Sequence, residues 1–313
     1  MSPPRTCFLL FLTFGLFTCS TAPKVPEEVS EKRNKAVEYA EYGNRYYRQG
    51  LYSKALEMFS LSLAYCGSVD YEPGIVRSYN SLGKVYMALG KVQEAELNFN
   101  RAFGISQRLE DPVLSSQTLT NRGEVFLRRG EYDAALKVFT EALENENRLE
   151  DPDRAIIYHN LGSLYRRMNR RDTALGYLQK AVELNERSKR SEELASNYYM
   201  LASLFSEQKN YEEAEGNALL ALKYDKKVEN SLGIAKDYLA LGIISRKSGS
   251  LESAFRYLEQ SLFVYRSLVI LNPILNLGED VRQVIRYLVE VAELTGKTEE
   301  AAYYRGLLTG EKE

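Results

Sequence analysis

The chain has 313 residues, with 41 Lys and Arg against 43 Asp and Glu and a formal net charge of −2. That balance lacks the concentrated basic footprint of a nucleic-acid binder, and one His with three Cys leaves little material for metal or thiol chemistry. Only eight Pro interrupt a composition rich in helix formers, which points to an all-α chain.

The chain opens on a short basic stretch, Met1 to Arg5, followed by an almost wholly apolar run from Thr6 to Phe17. About a dozen apolar residues are too few to cross a bilayer core, which needs roughly 20. A basic start, a short apolar core and a small-residue exit are the marks of an export signal. Leu16-Phe17-Thr18-Cys19 resembles the lipobox of bacterial lipoproteins, in a relaxed form similar to that of spirochaetes because Thr18 replaces the usual small residue. The resemblance implies that residues 1–18 are a lipoprotein signal peptide and that the Cys19 thiol receives a diacylglyceryl group. The chain would then face the periplasm or the cell surface from a membrane anchor. Ser20-Thr21-Ala22 also fits ordinary cleavage after Ala22, which would give a soluble periplasmic or secreted product. In both cases the protein leaves the cytoplasm. Residues 19–33, with Pro23, Pro26 and several Glu and Lys, read as a tether. Cys66 is then the lone Cys of the mature chain, so packing and not an internal disulfide must hold the fold.

From residue 34 onward one phrase returns six times. It reads Tyr-Gly-Asn-Arg-Tyr at 42–46, Leu-Gly-Lys-Val-Tyr at 82–86, Arg-Gly-Glu-Val-Phe at 122–126 and Leu-Gly-Ser-Leu-Tyr at 161–165. It ends as Leu-Ala-Ser-Leu-Phe at 201–205 and Leu-Gly-Ile-Ile-Ser at 241–245. The small residues Gly43, Gly83, Gly123, Gly162, Ala202 and Gly242 step by 40, 40, 39, 40 and 40, a period that marks a repeat architecture. Gly inside a helix costs about 1 kcal/mol relative to Ala, so this phase needs a packing reason. Close approach supplies one, with Ala55, Ala95, Ala135, Ala174, Ala214 and Ala254 as the small residues of the facing helices. Gly50, Gly90, Gly130 and Gly249, with Asn169 in the fourth unit, end the first helix of each pair. Asp111-Pro112 and Asp151-Pro152 read as an N-cap followed by Pro at the first helical position.

The second unit places Tyr79, Leu82, Gly83, Tyr86, Ala95, Phe99 and Ala102 at helical spacing around Gly90, and the other units follow in register. This pattern resembles the tetratricopeptide repeat, with Tyr often standing where that family has Trp. The resemblance implies an all-α, right-handed superhelical solenoid of antiparallel helix pairs, with about seven repeats. Six units of about 40 residues occupy 34–266, against a usual period of about 34. Residues 267–313 read as a loosened segment and a degenerate capping unit. There the apolar run 268–277 is broken by Pro273 and Val289 takes the small-residue position.

No active site emerges from the residues. His159 has no Cys or acidic cluster at ligand spacing, and neither a nucleophile motif nor a phosphate-cradling Gly run is present. No catalytic residue, metal or cofactor is therefore expected. The family resemblance implies instead that the first helices line a concave face. Carried onto matching positions it names Asn44, Arg48, Asn80, Lys84, Asn121, Glu124, His159, Asn160, Ser163, Arg166, Arg167, Ser203, Lys236 and Arg246 as partner-binding residues. Among these, the amides of Asn121 and Asn160 are expected to hold the backbone of an extended peptide. The function that follows is a non-catalytic scaffold or adaptor of the bacterial cell envelope. It would bind a peptide or helix of another envelope protein, with no nucleic acid involved and homo-oligomers compatible with it. The alternative is a transporter-associated component for a small apolar or anionic ligand. An enclosed cavity favours that alternative and an open groove favours the adaptor.

Overall fold

A computed structural model describes residues 27–144, 146–273 and 275–309. The export signal and Cys19 lie outside the described residues. Within them the chain forms α1 (Glu27–Arg48), α2 (Tyr52–Gly67), α3 (Glu72–Ala88), α4 (Val92–Arg108), α5 (Pro112–Arg129), α6 (Tyr132–Leu143) and α7 (Asp151–Arg167). These continue with α8 (Arg171–Arg187), α9 (Ser191–Glu207), α10 (Tyr211–Lys227), α11 (Ser231–Lys247), α12 (Leu251–Leu271), α13 (Gly278–Leu294) and α14 (Thr298–Thr309). The described residues contain no strand. Odd-numbered and even-numbered helices pair in sequence, and each pair stacks on the next to give a tetratricopeptide-type solenoid. No described helix is long and apolar enough to cross a membrane.

Two boundaries differ from the sequence expectation. Helix α1 already begins at Glu27, inside the stretch read as a tether. Its Ala36 is buried and the Arg33 guanidinium lies 4.6 Å from the centre of the Tyr71 ring, so contacts with the next pair extend the helix backwards. At the other end α12 has 21 residues against 17 for α10, and continues to Leu271 before Asn272 and Pro273 stop it. The loosened segment is thus confined to the link between α12 and α13.

Packing within each pair follows the close-approach argument. A Cβ added at Gly83 would lie 2.3 Å from the Phe99 ring, and one at Gly123 would lie 2.3 Å from the Phe139 ring. At Gly162 and Gly242 the facing residues are Leu178 and Leu258, each 2.7 Å from the added atom. The left-handed turns also form where expected, with Gly50, Gly90, Gly130, Gly249 and Asn169 at positive φ. Asp111 caps α5 by accepting from the N–H groups of Val113 at 2.9 Å and Leu114 at 3.0 Å. Asp151 behaves differently. It is the first residue of α7, and its carboxylate binds Arg154 and Arg187 instead of capping N–H groups.

The superhelix returns on itself. The turn between α1 and α2 meets the inner ends of three much later helices. Arg48 and Glu192 of α9 form an ion pair at 3.7 Å, and the Gln49 amide donates to Glu229, between α10 and α11, at 3.4 Å. The buried Asn272 amide donates to the Gly50 carbonyl, and Leu268 packs against Gly50. Tyr52 and Phe59 of the first pair therefore share one continuous apolar cluster with Leu268, Leu275 and Leu277.

Candidate functional site

Helix geometry decides what faces the bore. Asn44, Lys84 and Glu124, which directly follow the small residue of their units, and Arg48, Arg128 and Arg167, five positions after it, face one space. That space is a cavity of about 670 Å³ lined by α1, α3, α5, α7 and α9, with Asn185 contributed by α8. Of the sequence candidates, Asn44, Arg48, Lys84, Glu124, His159, Asn160 and Arg167 line this cavity. Among the described residues no group of three or more His, Cys, Asp or Glu side chains is placed to hold a metal ion.

The other candidates are placed elsewhere. Asn80 and Asn121 are buried and do not line this cavity. The Asn80 amide donates to the Thr118 hydroxyl at 3.0 Å, which ties α3 to α5. Asn160 lines the cavity but is itself buried, and donates to Glu124 at 3.1 Å. Arg166 is committed to Ser203 at 2.7 Å and to Glu207 at 2.6 Å. Arg246 pairs with Glu290 and lies over the Tyr287 ring. Asn80, Asn160, Arg166 and Arg246 thus join successive odd-numbered helices, since a polar group between packed helices must find a partner there.

His159 is held as a neutral group. Its Nδ1 lies 2.7 Å from the Asn197 amide oxygen, which only accepts, so the proton sits on Nδ1. Ser196 Oγ reaches Nε2 at 3.4 Å. Burial holds the His159 pKa below the ordinary value, against the smaller opposing effects of Asn197 and Glu124. Glu192 is raised, chiefly by burial and then by adjacent Glu193, while Arg48 and Lys84 pull it back. On α11, Lys236 is accessible to water yet enclosed by protein. That enclosure pushes its pKa down, Asp280 opposes the shift, and Arg128 on α5 adds to it. Arg128 and Lys236 thus repel across the bore.

Arg128 is absent from the concave-face candidates, although Arg48, Arg128 and Arg167 all stand five residues after the small residue of their units. It also missed Arg190, Glu192 and Asn197, which come from the N-terminal half of α9 or the turn before it. Nothing in the period shows how far the superhelix curls, so their proximity to α1 was not legible.

Comparison with known proteins agrees with the fold. Tetratricopeptide repeat models match residues 114–187, and also 76–108 and 195–227. The regulatory protein RapG of Bacillus subtilis is 25% identical over 136 residues, which are 43% of this chain and 37% of RapG. The match thus spans little more than a third of that relative. A solved Rap protein complexed with Competence and Sporulation Factor superposes with a TM-score of 0.64 at 17% identity, covering 88% of this chain and 74% of that one. PilW, a type IV pilus biogenesis factor, gives a TM-score of 0.55 at 19% identity, covering 75% of this chain and 93% of PilW. The chain carries tetratricopeptide repeats, and its fold is the helical solenoid that those repeats build.

Proposed function

We propose that the chain is a non-catalytic interaction scaffold that seats a segment of a protein partner inside its superhelix, with a lipidated Cys19 holding it at a bacterial envelope membrane. The observation that carries the reading is the polar cavity of about 670 Å³, walled by the inner faces of five odd-numbered helices. Repeat solenoids present such concave surfaces for binding. A Rap protein of this fold is complexed with Competence and Sporulation Factor, which supports a binding role. The envelope assignment rests on residues 1–22: basic start, short apolar run and Cys19.

One observation favours the second reading, a transporter-associated component for a small anionic ligand. Contact of the first pair with the last closes the groove on one side, and the cavity has the volume of a small-molecule site, about 300–1,000 Å³. Photo-crosslinking in cells separates the two. A crosslinker in place of Lys84, inside the cavity, should trap a discrete protein that the same group in place of Lys180, on the outer helix α8, does not trap. Equal trapping from both positions would remove the interior from consideration. A small molecule released on denaturation, with no protein trapped, would replace the scaffold by the second reading. Cys19→Ser should move the chain from the membrane to the soluble fraction, and unchanged membrane retention would discard the lipid anchor.

A further inference from the structure

The cavity lining carries more positive charge than its own ion pairs use. Five cations line it, Arg48, Lys84, Arg128, Arg167 and Arg190, against three carboxylates, Glu124, Glu192 and Glu193. Arg48 is taken by Glu192 at 3.7 Å and Arg190 by Glu193 at 2.6 Å. Among the described residues Lys84, Arg128 and Arg167 form no ion pair, and Glu124 already accepts from Asn160 at 3.1 Å. Like charges gathered in a concave space with fewer counter-charges raise the local concentration of anions.

A second observation distinguishes among anions. The side-chain amides of Asn185 and Asn197 line the same cavity, and each is only 1% exposed. Both polar atoms of the Asn185 amide lack a hydrogen-bond partner among the described residues, as does the Asn197 amide nitrogen. Buried polar groups without partners are costly, and a native structure satisfies nearly all of them. A fully deprotonated inorganic anion such as sulfate could accept from the two N–H₂ groups but could not donate to the Asn185 oxygen. A peptide backbone brings both a C=O and an N–H. The unpaired cations are also spread over α3, α5 and α7, which suits charges spaced along a chain better than one compact ion.

Resting on the scaffold reading above, we propose that the partner segment is acidic: an extended stretch with several carboxylates, held by Lys84, Arg128 and Arg167. Asn185 and Asn197 hold its backbone. The test uses fluorescence anisotropy on the processed full-length chain. The probes are a short labelled peptide alternating Glu and Ser, its Gln–Ser isostere, its Lys–Ser counterpart, and inorganic phosphate as a competitor. The Glu–Ser peptide should bind, weakening steeply with added salt, while the other two peptides do not. Lys84→Gln with Arg128→Gln should weaken it by about ten-fold or more, since pairs that steer and fix charge are lost. Both side chains are exposed, so the fold is retained. Arg129→Gln, which breaks an outer pair with Glu96 at 2.6 Å, should leave affinity unchanged. Equal binding of the Gln–Ser peptide would overturn the acidic assignment and leave the scaffold reading standing. Binding of phosphate with no binding of any peptide would overturn both. An indifferent Lys84→Gln/Arg128→Gln double variant would overturn the site.

Discussion

Ala202 is the one residue with a methyl group in a column that is otherwise Gly43, Gly83, Gly123, Gly162 and Gly242. Sixteen residues on, the facing column runs Phe59, Phe99, Phe139, Leu178, Ala218 and Leu258, so the one added methyl meets the one small partner. Both Ala202 and Ala218 are fully buried in the same cluster. Ala218→Leu alone should therefore overpack the fifth pair and cost about 1–3 kcal/mol. Adding Ala202→Gly should recover most of that loss, although Gly in a helix itself costs about 1 kcal/mol. A double-mutant cycle by urea unfolding measures the coupling, and strict additivity would contradict the column argument. This column was legible in the sequence. A second was not: Ser78, Thr118, Asn197 and Asp237 each precede the small residue by five positions and are buried. Polar residues at that spacing read as a solvated face, yet they lie where one pair packs on the next. Asp237 is the extreme case, 1% exposed and facing Asp225 of α10, whose carboxylate sits against Gly233 in space a Cβ would fill. Burial, and then the charge of Asp225, pushes the Asp237 carboxyl far above its ordinary range, and Lys236 opposes this. Tyr199 and Tyr265 are the other titratable groups that feel Asp237. Because the folded-state value is raised, the pair's stability is full below the ordinary carboxylate pKa of about 4 and is lost as pH rises through and beyond it. Asp237→Asn should raise the Tm at neutral pH and flatten its decline between acidic and alkaline pH. A Tm profile as steep as that of wild type would show that the pair does not govern it.

At the scale of the element, each odd-numbered helix from α1 to α13 ends in a left-handed residue: Gly50, Gly90, Gly130, Asn169, Lys209, Gly249 and Gly296. Lys209, at φ 65°, is the member of that series with a full side chain and no local hydrogen bond to favour the conformation. Lys209→Gly should stabilise the chain by about 0.5–1 kcal/mol, after the entropy Gly adds to the unfolded state is subtracted. Equilibrium unfolding in urea checks it, and a loss of stability would mean that the Lys side chain has a packing role. The same geometry explains what the sequence hid. The turns that lead into the odd-numbered helices use Asp70, Glu110, Lys189 and Glu229 at positive φ, and no Gly or Asn marks them. Helix pairs were therefore legible from their Gly-ended halves, while among the returning turns those before α5 and α7 carried an Asp-Pro signal and the others were placed by period. The start of α1 was missed for a related reason. Glu27 to Arg33 are good helix formers without an apolar stripe, and the contact of Arg33 with Tyr71 could not be read from the sequence.

For the whole molecule, the period sets the rotation between neighbours but not where the first pair lands after the array has turned. Residues 48 and 192, or 50 and 272, come together only through the summed curl of the intervening pairs. The cavity is a product of that closure, so its individual residues could be named from phase while its enclosure could not. In an open solenoid stability is a sum of units and nearest-neighbour interfaces. Here further contacts join the ends, and one of them can be removed alone. Asn272→Ala takes away one of the two donors to the buried Gly50 carbonyl and leaves the Tyr52 N–H at 2.9 Å, a loss of about 0.5–1.5 kcal/mol. Because that bond crosses from the last pairs to the first, the loss should fall on the end of the array. Amide hydrogen exchange should quicken by about five-fold or more in α1 and α2, where the first pair has neighbours on only one remaining side. Exchange in α5 to α8, which are held by pairs on both sides, should stay at the wild-type rate. Uniform quickening along the chain would mean that the closed superhelix unfolds as one unit and is not a stack with a separable seam. Unchanged exchange in α1 and α2 would mean that stacking alone holds the first pair in place, and that the contact with Asn272 follows from the curvature without contributing to it.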